Sequence, residues 1–180
     1  METKKTNTGL TYGLIAGLAL VVFTLILYVI GVESFLGPLA WLSYVIIIVV
    51  AILAGLRQRK LNGGYLEFSQ ALKVTFTVFA LGLLIQTVFN YLLMNYIDTA
   101  FRDALTQQTM EKMEEMLRRF GASEDDIEKA IAQGSSSDSY ALKNIFLGYG
   151  VMCIVYFIVA LIISAIIKRR PNNFENTFNQ

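Results

Sequence analysis

Four long apolar runs, Leu10–Ile30, Leu39–Leu56, Val74–Met94 and Ile145–Ile167, take up nearly half of the 180 residues. Each is 18 to 23 residues long, the length a helix needs to cross a hydrocarbon layer of about 30 Å. Inside such a layer every backbone polar group has to be satisfied within its own segment, so runs of this kind fold as helices. The expected fold class is an all-α membrane protein, a four-transmembrane-helix bundle in a single membrane domain. Its spans are expected at about 10–30, 39–56, 72–96 and 145–167. A mean hydropathy of +0.54 and 55% hydrophobic residues agree, since soluble domains run at roughly 45–50% apolar.

The first run follows Lys4 and Lys5 as a signal peptide would. It is longer than the usual apolar core of ~7–15 residues, and the chain continues Gly31-Val32-Glu33-Ser34 without a small-x-small cleavage pattern. A retained span is therefore expected.

Charge alternates between the connections. Lys4 and Lys5 precede the first run, Arg57, Arg59 and Lys60 follow the second, and Lys168, Arg169 and Arg170 follow the fourth. Val32–Pro38 holds Glu33 and no base. Basic residues collect on the cytoplasmic side, which puts both termini inside and the long Asn95–Asn144 connection outside. That connection carries ten acids against six bases, but long connections cross largely regardless of charge. The basic clusters either only fix orientation or also hold anionic headgroups of the lipid bilayer. Trp41, Tyr44, Tyr65, Phe68, Tyr91 and Tyr96 fall near span ends, where aromatic rings settle at headgroup level. A net charge of +1 gives no sign of a nucleic-acid partner.

Gly9, Gly13 and Gly17 make two overlapping GxxxG steps on one face of the first span. Lipid gives helices no reason to hide apolar surface, so close backbone approach over small residues drives association. The face packs either against another span of this chain or against a second copy. Gly82, Gly148 and Gly150 offer further thin places. Gln86 and Asn90, four residues apart, share a face of the third span that is expected to turn inward. It serves either inter-helix amide bonds or the lining of a solute path. No Asp, Glu, Lys or Arg lies at the centre of a span, which counts against an ion-coupled carrier.

From Ile97 the chain keeps helical periodicity without continuous apolarity. Ile97, Phe101, Ala104, Leu105, Met113, Met116, Leu117 and Phe120 recur at three- and four-residue steps. Asp98–Arg102, Glu114–Arg118 and Glu115–Arg119 are acid-before-base pairs at i,i+4. Gly121 is placed as a C-terminal glycine, and Ser123-Glu-Asp-Asp as the capped start of a short helix ending near Gln133. Gly134–Ser139 reads as a flexible connector. An outer helical hairpin over about 97–140 is expected, its longer arm continuing from the third span. Phe101, Leu105, Met113, Met116, Leu117 and Phe120 form its candidate partner surface. The stripe covers either the short helix, the membrane surface, a second copy or another membrane or periplasmic protein, through residues 97–133.

His is absent, and the one Cys, Cys153, lies inside the fourth run. No disulfide within the chain, metal site, cofactor site or catalytic residue is expected. An enzyme would have to use Glu67 or Asp98 with Lys73 or Arg102, and nothing in the spacing pairs them. Asn62-Gly63-Gly64 is a turn, too weak a motif for a phosphate cradle.

Asn62-Gly63-Gly64, Phe68, Ala71-Leu72-Lys73, Asn90-Tyr91 and Ile97-Asp98 before an acidic Met-rich helix resemble the bacterial domain-of-unknown-function family 4199. The resemblance covers almost the whole chain. It implies a small bacterial inner-membrane protein with four helices and no assigned activity, and it transfers no site residue. The expected role is a non-enzymatic accessory or scaffold subunit whose hairpin engages a partner or a second copy. The alternative is a small transporter or channel beside Gln86 and Asn90.

Overall fold

The structure, a computed structural model, describes residues 7–136 and 140–169. Lys4, Lys5, Arg170 and Ser137–Ser139 lie outside the described residues, and Gly134–Ser136, expected in the connector, are helical instead. Seven α-helices follow one another among the described residues: α1 (Thr8–Ile30), α2 (Val32–Leu36), α3 (Leu42–Leu61), α4 (Phe68–Leu92), α5 (Thr99–Arg119), α6 (Glu124–Ser136) and α7 (Leu142–Ile167). A 3-10 turn, Pro38–Trp41, leads into α3, and a π turn, Leu93–Ile97, extends α4. Four helices are long and apolar enough to cross a membrane: Thr8–Ile30, Pro38–Leu61, Phe68–Ile97 and Leu142–Ile167.

The surface of the bundle is apolar. Leu18 is 63% exposed, Val29 82% and Ile166 76%. Patches of this kind are costly in water and ordinary against lipid tails.

Helix α4 is the central element, packed against α1, α3 and α7. Close approach comes from small residues. Ala16, Ala51, Ala54, Ala71 and Ala160 are fully buried around Val78 and Phe79. One end of the bundle gathers Arg57, Arg59, Lys60, Lys73, Lys168 and Arg169 on the termini of α3, α4 and α7. There Leu66 and Arg169 exchange two backbone hydrogen bonds of 2.9 and 2.8 Å. Gly63 and Gly64, at φ 69° and 93°, make the turn from α3 toward α4 that side-chain-bearing residues resist. The other end carries α2, α5 and α6.

The long arm of the hairpin does not run on from the third span. Asp98, at φ −144° and ψ 87°, breaks the helix after the π turn and caps α5 by accepting from Phe101 N–H at 2.8 Å. Asp is a strong N-cap residue because its carboxylate satisfies amides that the helix leaves unpaired. Helix propensity on both sides therefore gives way to a cap. The Val32–Pro38 connection also holds a short helix, α2, against which α5 packs.

Candidate functional site

Helices α3 and α7 touch over a short stretch. Near the basic end Gly55 lies against Ile167, and the Thr75 and Ser164 hydroxyls, both fully buried, meet at 3.1 Å. Thr75 Oγ1 also donates to Ala71 O at 2.9 Å, which makes Ser164 the donor between the two. Toward the hairpin end a cleft of about 340 Å³ lies between α3 and α7. Helix α3 contributes Ser43, Tyr44 and Ile47, and α7 contributes Ile145, Gly148, Tyr149, Met152 and Tyr156. The floor is α4, through Leu83, Gln86, Thr87 and Asn90, with Leu20 of α1 behind it. Tyr140 stands at the hairpin end, its carbonyl accepting from Asn95 Nδ2 at 3.1 Å.

No charged side chain lines this cleft among the described residues. Its polar groups are amides and hydroxyls. Gln86 Nε2 donates to Thr24 Oγ1 of α1 at 3.4 Å, a long bond. Tyr149 donates to Ala80 O at 3.1 Å, and the Tyr156 ring packs on Phe79 with centroids 4.8 Å apart. Asn90 Oδ1 is buried and has no hydrogen-bond partner among the described residues. An unpaired buried acceptor costs roughly 1–3 kcal/mol. The arrangement is a mostly apolar recess with a few uncharged polar groups. Toward the basic end the core is filled, so the cleft ends blind.

A family model described as "Protein of unknown function (DUF4199)" matches residues 11–169. The chain belongs to the DUF4199 family. No curated protein and no solved structure matches it.

In this DUF4199 protein the sequence-derived candidates separate into three places. Gln86 and Asn90 come together on the floor of the cleft. Gly9, Gly13 and Gly17 are not among its lining and lie on the α1–α4 seam, against Thr77, Leu81 and Ile85 of α4. That constant offset of 68 residues makes α1 and α4 parallel neighbours. Gly82 joins the same seam beside Ala16. Gly148 and Gly150 differ from the expectation for thin places: no atom lies within 4 Å of where their Cβ atoms would stand. Gly148 instead leaves the wall of the cleft open.

The hairpin residues form the third group, and they divide. Phe101 packs edge-on against Tyr28 and Phe35, with centroids 4.8 and 5.3 Å away, and Leu105 is buried with Leu93 and Met94. Tyr28 donates to Asp98 Oδ2 at 2.7 Å. That bond, then the cap bond from Phe101 N–H, holds the Asp98 carboxyl below its ordinary value. The base of the hairpin is thus fixed to the bundle. Met113 and Leu117 are half-buried, and Ile127 of α6 is buried. Met116 and Phe120, 52% and 83% exposed, remain open at the tip. Arg118 bridges Glu114 and Glu124 at 3.1 and 2.6 Å, which raises its pKa.

The ionisable candidates stay apart. Glu67 and Lys73 sit at the basic end, Asp98 and Arg102 at the hairpin end, and Arg102 pairs with Asp103 at 3.0 Å. No group of three or more His, Cys, Asp or Glu is placed to hold a metal among the described residues. The lining also includes Tyr149, Met152 and Tyr156, which no sequence motif marks. Their i, i+3, i+7 spacing was the available signal, a phenol-bearing stripe deep in an apolar run.

Proposed function

We propose that this protein is a non-enzymatic accessory subunit of a bacterial inner membrane, with both termini cytoplasmic, that binds a small uncharged ligand in the α3–α7 cleft. The observation that carries this reading is the cleft itself, which gathers Gln86, Asn90 and tyrosine hydroxyls into a blind, charge-free recess. Ligand sites are commonly concave, mostly apolar recesses with a few convergent polar groups. The filled basic half favours a binding site over a through-path. No Asp, Glu, Lys or Arg lines the cleft among the described residues. The hairpin, anchored at Asp98 and Phe101, serves as a fixed platform whose Met116 and Phe120 meet a partner.

The test is native mass spectrometry of the protein extracted in mild detergent, wild type against Gly148→Trp. Gly148 lines the cleft and nothing lies within 4 Å of a Cβ there, so an indole at this position fits without displacing the helices and is free to turn across the opening. The expected result is a small molecule retained by the wild type and lost from the variant. Equal retention would refute the reading. Maleimide labelling of Ser123→Cys in a Cys153→Ala background tests orientation, and reaction only from the cytoplasm overturns it.

A further inference from the structure

We propose that the basic end of the bundle is a binding surface for anionic phospholipid, centred on Lys168 and Arg169 where α7 is clamped to the α3–α4 connection. The surface is separate from the cleft and does not depend on the cleft being occupied.

The two ends of the molecule treat their charges differently. At the hairpin end Arg102, Arg118 and Arg119 each meet a carboxylate within 3.1 Å. At the basic end Arg57, Arg59, Lys60, Lys73, Lys168 and Arg169 have no ion pair among the described residues. The one acid there among the described residues, Glu67, is exposed and pairs with none of them. Like charges gathered in one layer repel, and an anion brought among them relieves that repulsion.

Setting orientation requires only that the cations be present, yet two of them are also held in place. Lys168, at φ −56° and ψ 142°, ends α7. Arg169 then exchanges both backbone hydrogen bonds with Leu66, which is 1% exposed. The Lys168 ammonium stands 5.9 Å from the centroid of the ring of Phe68, the first residue of α4. Such a contact is attractive and uses no oxygen acceptor, so the ammonium keeps donors for one. Two adjacent cations are thus fixed where α7, the connection and α4 meet.

Their height selects the anion. Ile162 and Ile166, 58% and 76% exposed, make an apolar track on α7 that runs up to Lys168. Tyr65 and Phe68 are exposed on the connection and on α4. Cations just beyond the last apolar turn of a span lie at headgroup level, and their long stems reach the phosphates. The bilayer delivers phosphodiesters to that height, with acyl chains that lie along the isoleucine track. A zwitterionic headgroup brings its own cation and leaves the excess positive charge in place. An anionic headgroup removes it.

The test is native mass spectrometry of the full chain in mild detergent, titrated with dioleoylphosphatidylglycerol and separately with dioleoylphosphatidylcholine. Wild type should bind the anionic lipid at least about tenfold more tightly, a gap of about 1.4 kcal/mol. Lys168→Gln with Arg169→Gln should weaken phosphatidylglycerol binding by about thirtyfold, at ~1 kcal/mol for each base near an anionic surface. Phosphatidylcholine binding should stay unchanged. Lys129→Gln with Lys143→Gln removes two exposed cations from the hairpin end and should leave both affinities unchanged. Equal affinity of the wild type for the two lipids overturns the charge argument. No weakening in the first double variant, or equal weakening in both, overturns the placement. Water-soluble glycerophosphoglycerol that displaces the lipid at matching concentrations overturns the lipid assignment in favour of a free phosphodiester. The wild-type comparisons stand even where a variant folds poorly.

Discussion

Replacing Gly17 by Ala probes the α1–α4 seam with a single methyl group. A Cβ at Gly17 would lie 2.6 Å from Ile85 Cδ1, 2.7 Å from its Cβ and 3.0 Å from its Cγ2. The Ile85 Cδ1 atom can rotate away, but its Cβ is fixed to the α4 backbone. Carbon atoms settle at about 3.5–4.0 Å, so α1 must retreat from α4 by roughly 0.8 Å at this level. Overpacking of this kind costs about 1–3 kcal/mol. The retreat also stretches the bond between Gln86 and Thr24, already 3.4 Å long. Gly148→Ala is the matched control, because its Cβ meets nothing within 4 Å and Ala is the better helix former by up to ~1 kcal/mol. Reversible unfolding in mixed micelles, followed by circular dichroism against denaturing detergent, measures both variants. Gly17→Ala should lose about 1–3 kcal/mol and Gly148→Ala should lose nothing. Equal stability of Gly17→Ala and wild type, or equal damage at both sites, would refute the packing argument.

Three further outcomes follow from particular contacts. The Asp98 carboxyl sits below its ordinary value of 3.8 because the Tyr28 hydroxyl, and then Phe101 N–H, stabilise the charged form. Its stabilisation is complete above that ordinary value and is lost as pH falls through the lower folded-state value. The melting temperature of the wild type should therefore fall more steeply below about pH 4 than that of Asp98→Asn, and parallel curves would contradict the assignment. In the buried hydroxyl pair Ser164 donates to Thr75, so a Thr75→Val and Ser164→Ala double-mutant cycle should give a coupling near 0.6 kcal/mol, with none if the pair is absent. Ile127 is 3% exposed where α6 covers α5, so Ile127→Ala should cost about 2–5 kcal/mol locally. Hydrogen exchange should then rise across α6 while the spans keep their protection; unchanged exchange in α6 would mean that the hairpin is held by other contacts.

How much of this was legible in the sequence depended on the kind of signal. The spans were readable because apolar length is a one-dimensional property, and α1 and α7 begin within three residues of their apolar runs. The Gly9, Gly13 and Gly17 face announced a close approach, but any of three helices could have met it; only tertiary structure selects Thr77, Leu81 and Ile85. Glu114–Arg118 and Glu115–Arg119 form as spaced, at 3.1 and 2.6 Å. Asp98–Arg102 does not, because Asp98 is taken by the cap and by Tyr28, leaving Arg102 to Asp103. That exchange also hid the break before α5. A residue that pairs in a continuous helix and one that caps a new helix look alike until a distant hydroxyl decides between them.

The cleft shows the same limit from the other side. Gln86 and Asn90 stood out as amides in an apolar run, whereas Tyr149 and Tyr156 passed as ordinary aromatics. What turns these residues into one site is a gradient of side-chain size along the facing helices. At the basic half Ala54 and Gly55 of α3 meet Ala160, Ser164 and Ile167 of α7 across Thr75, and the three backbones can close up. At the hairpin half the corresponding positions hold Tyr44, Tyr149, Met152 and Tyr156, whose bulk props α3 and α7 apart over the α4 floor. Close packing of small residues is a main source of association in lipid, and in the tight half it brings α3 and α7 together over Thr75. At the wide half Asn90 Oδ1 is buried without a partner among the described residues, a cost of roughly 1–3 kcal/mol.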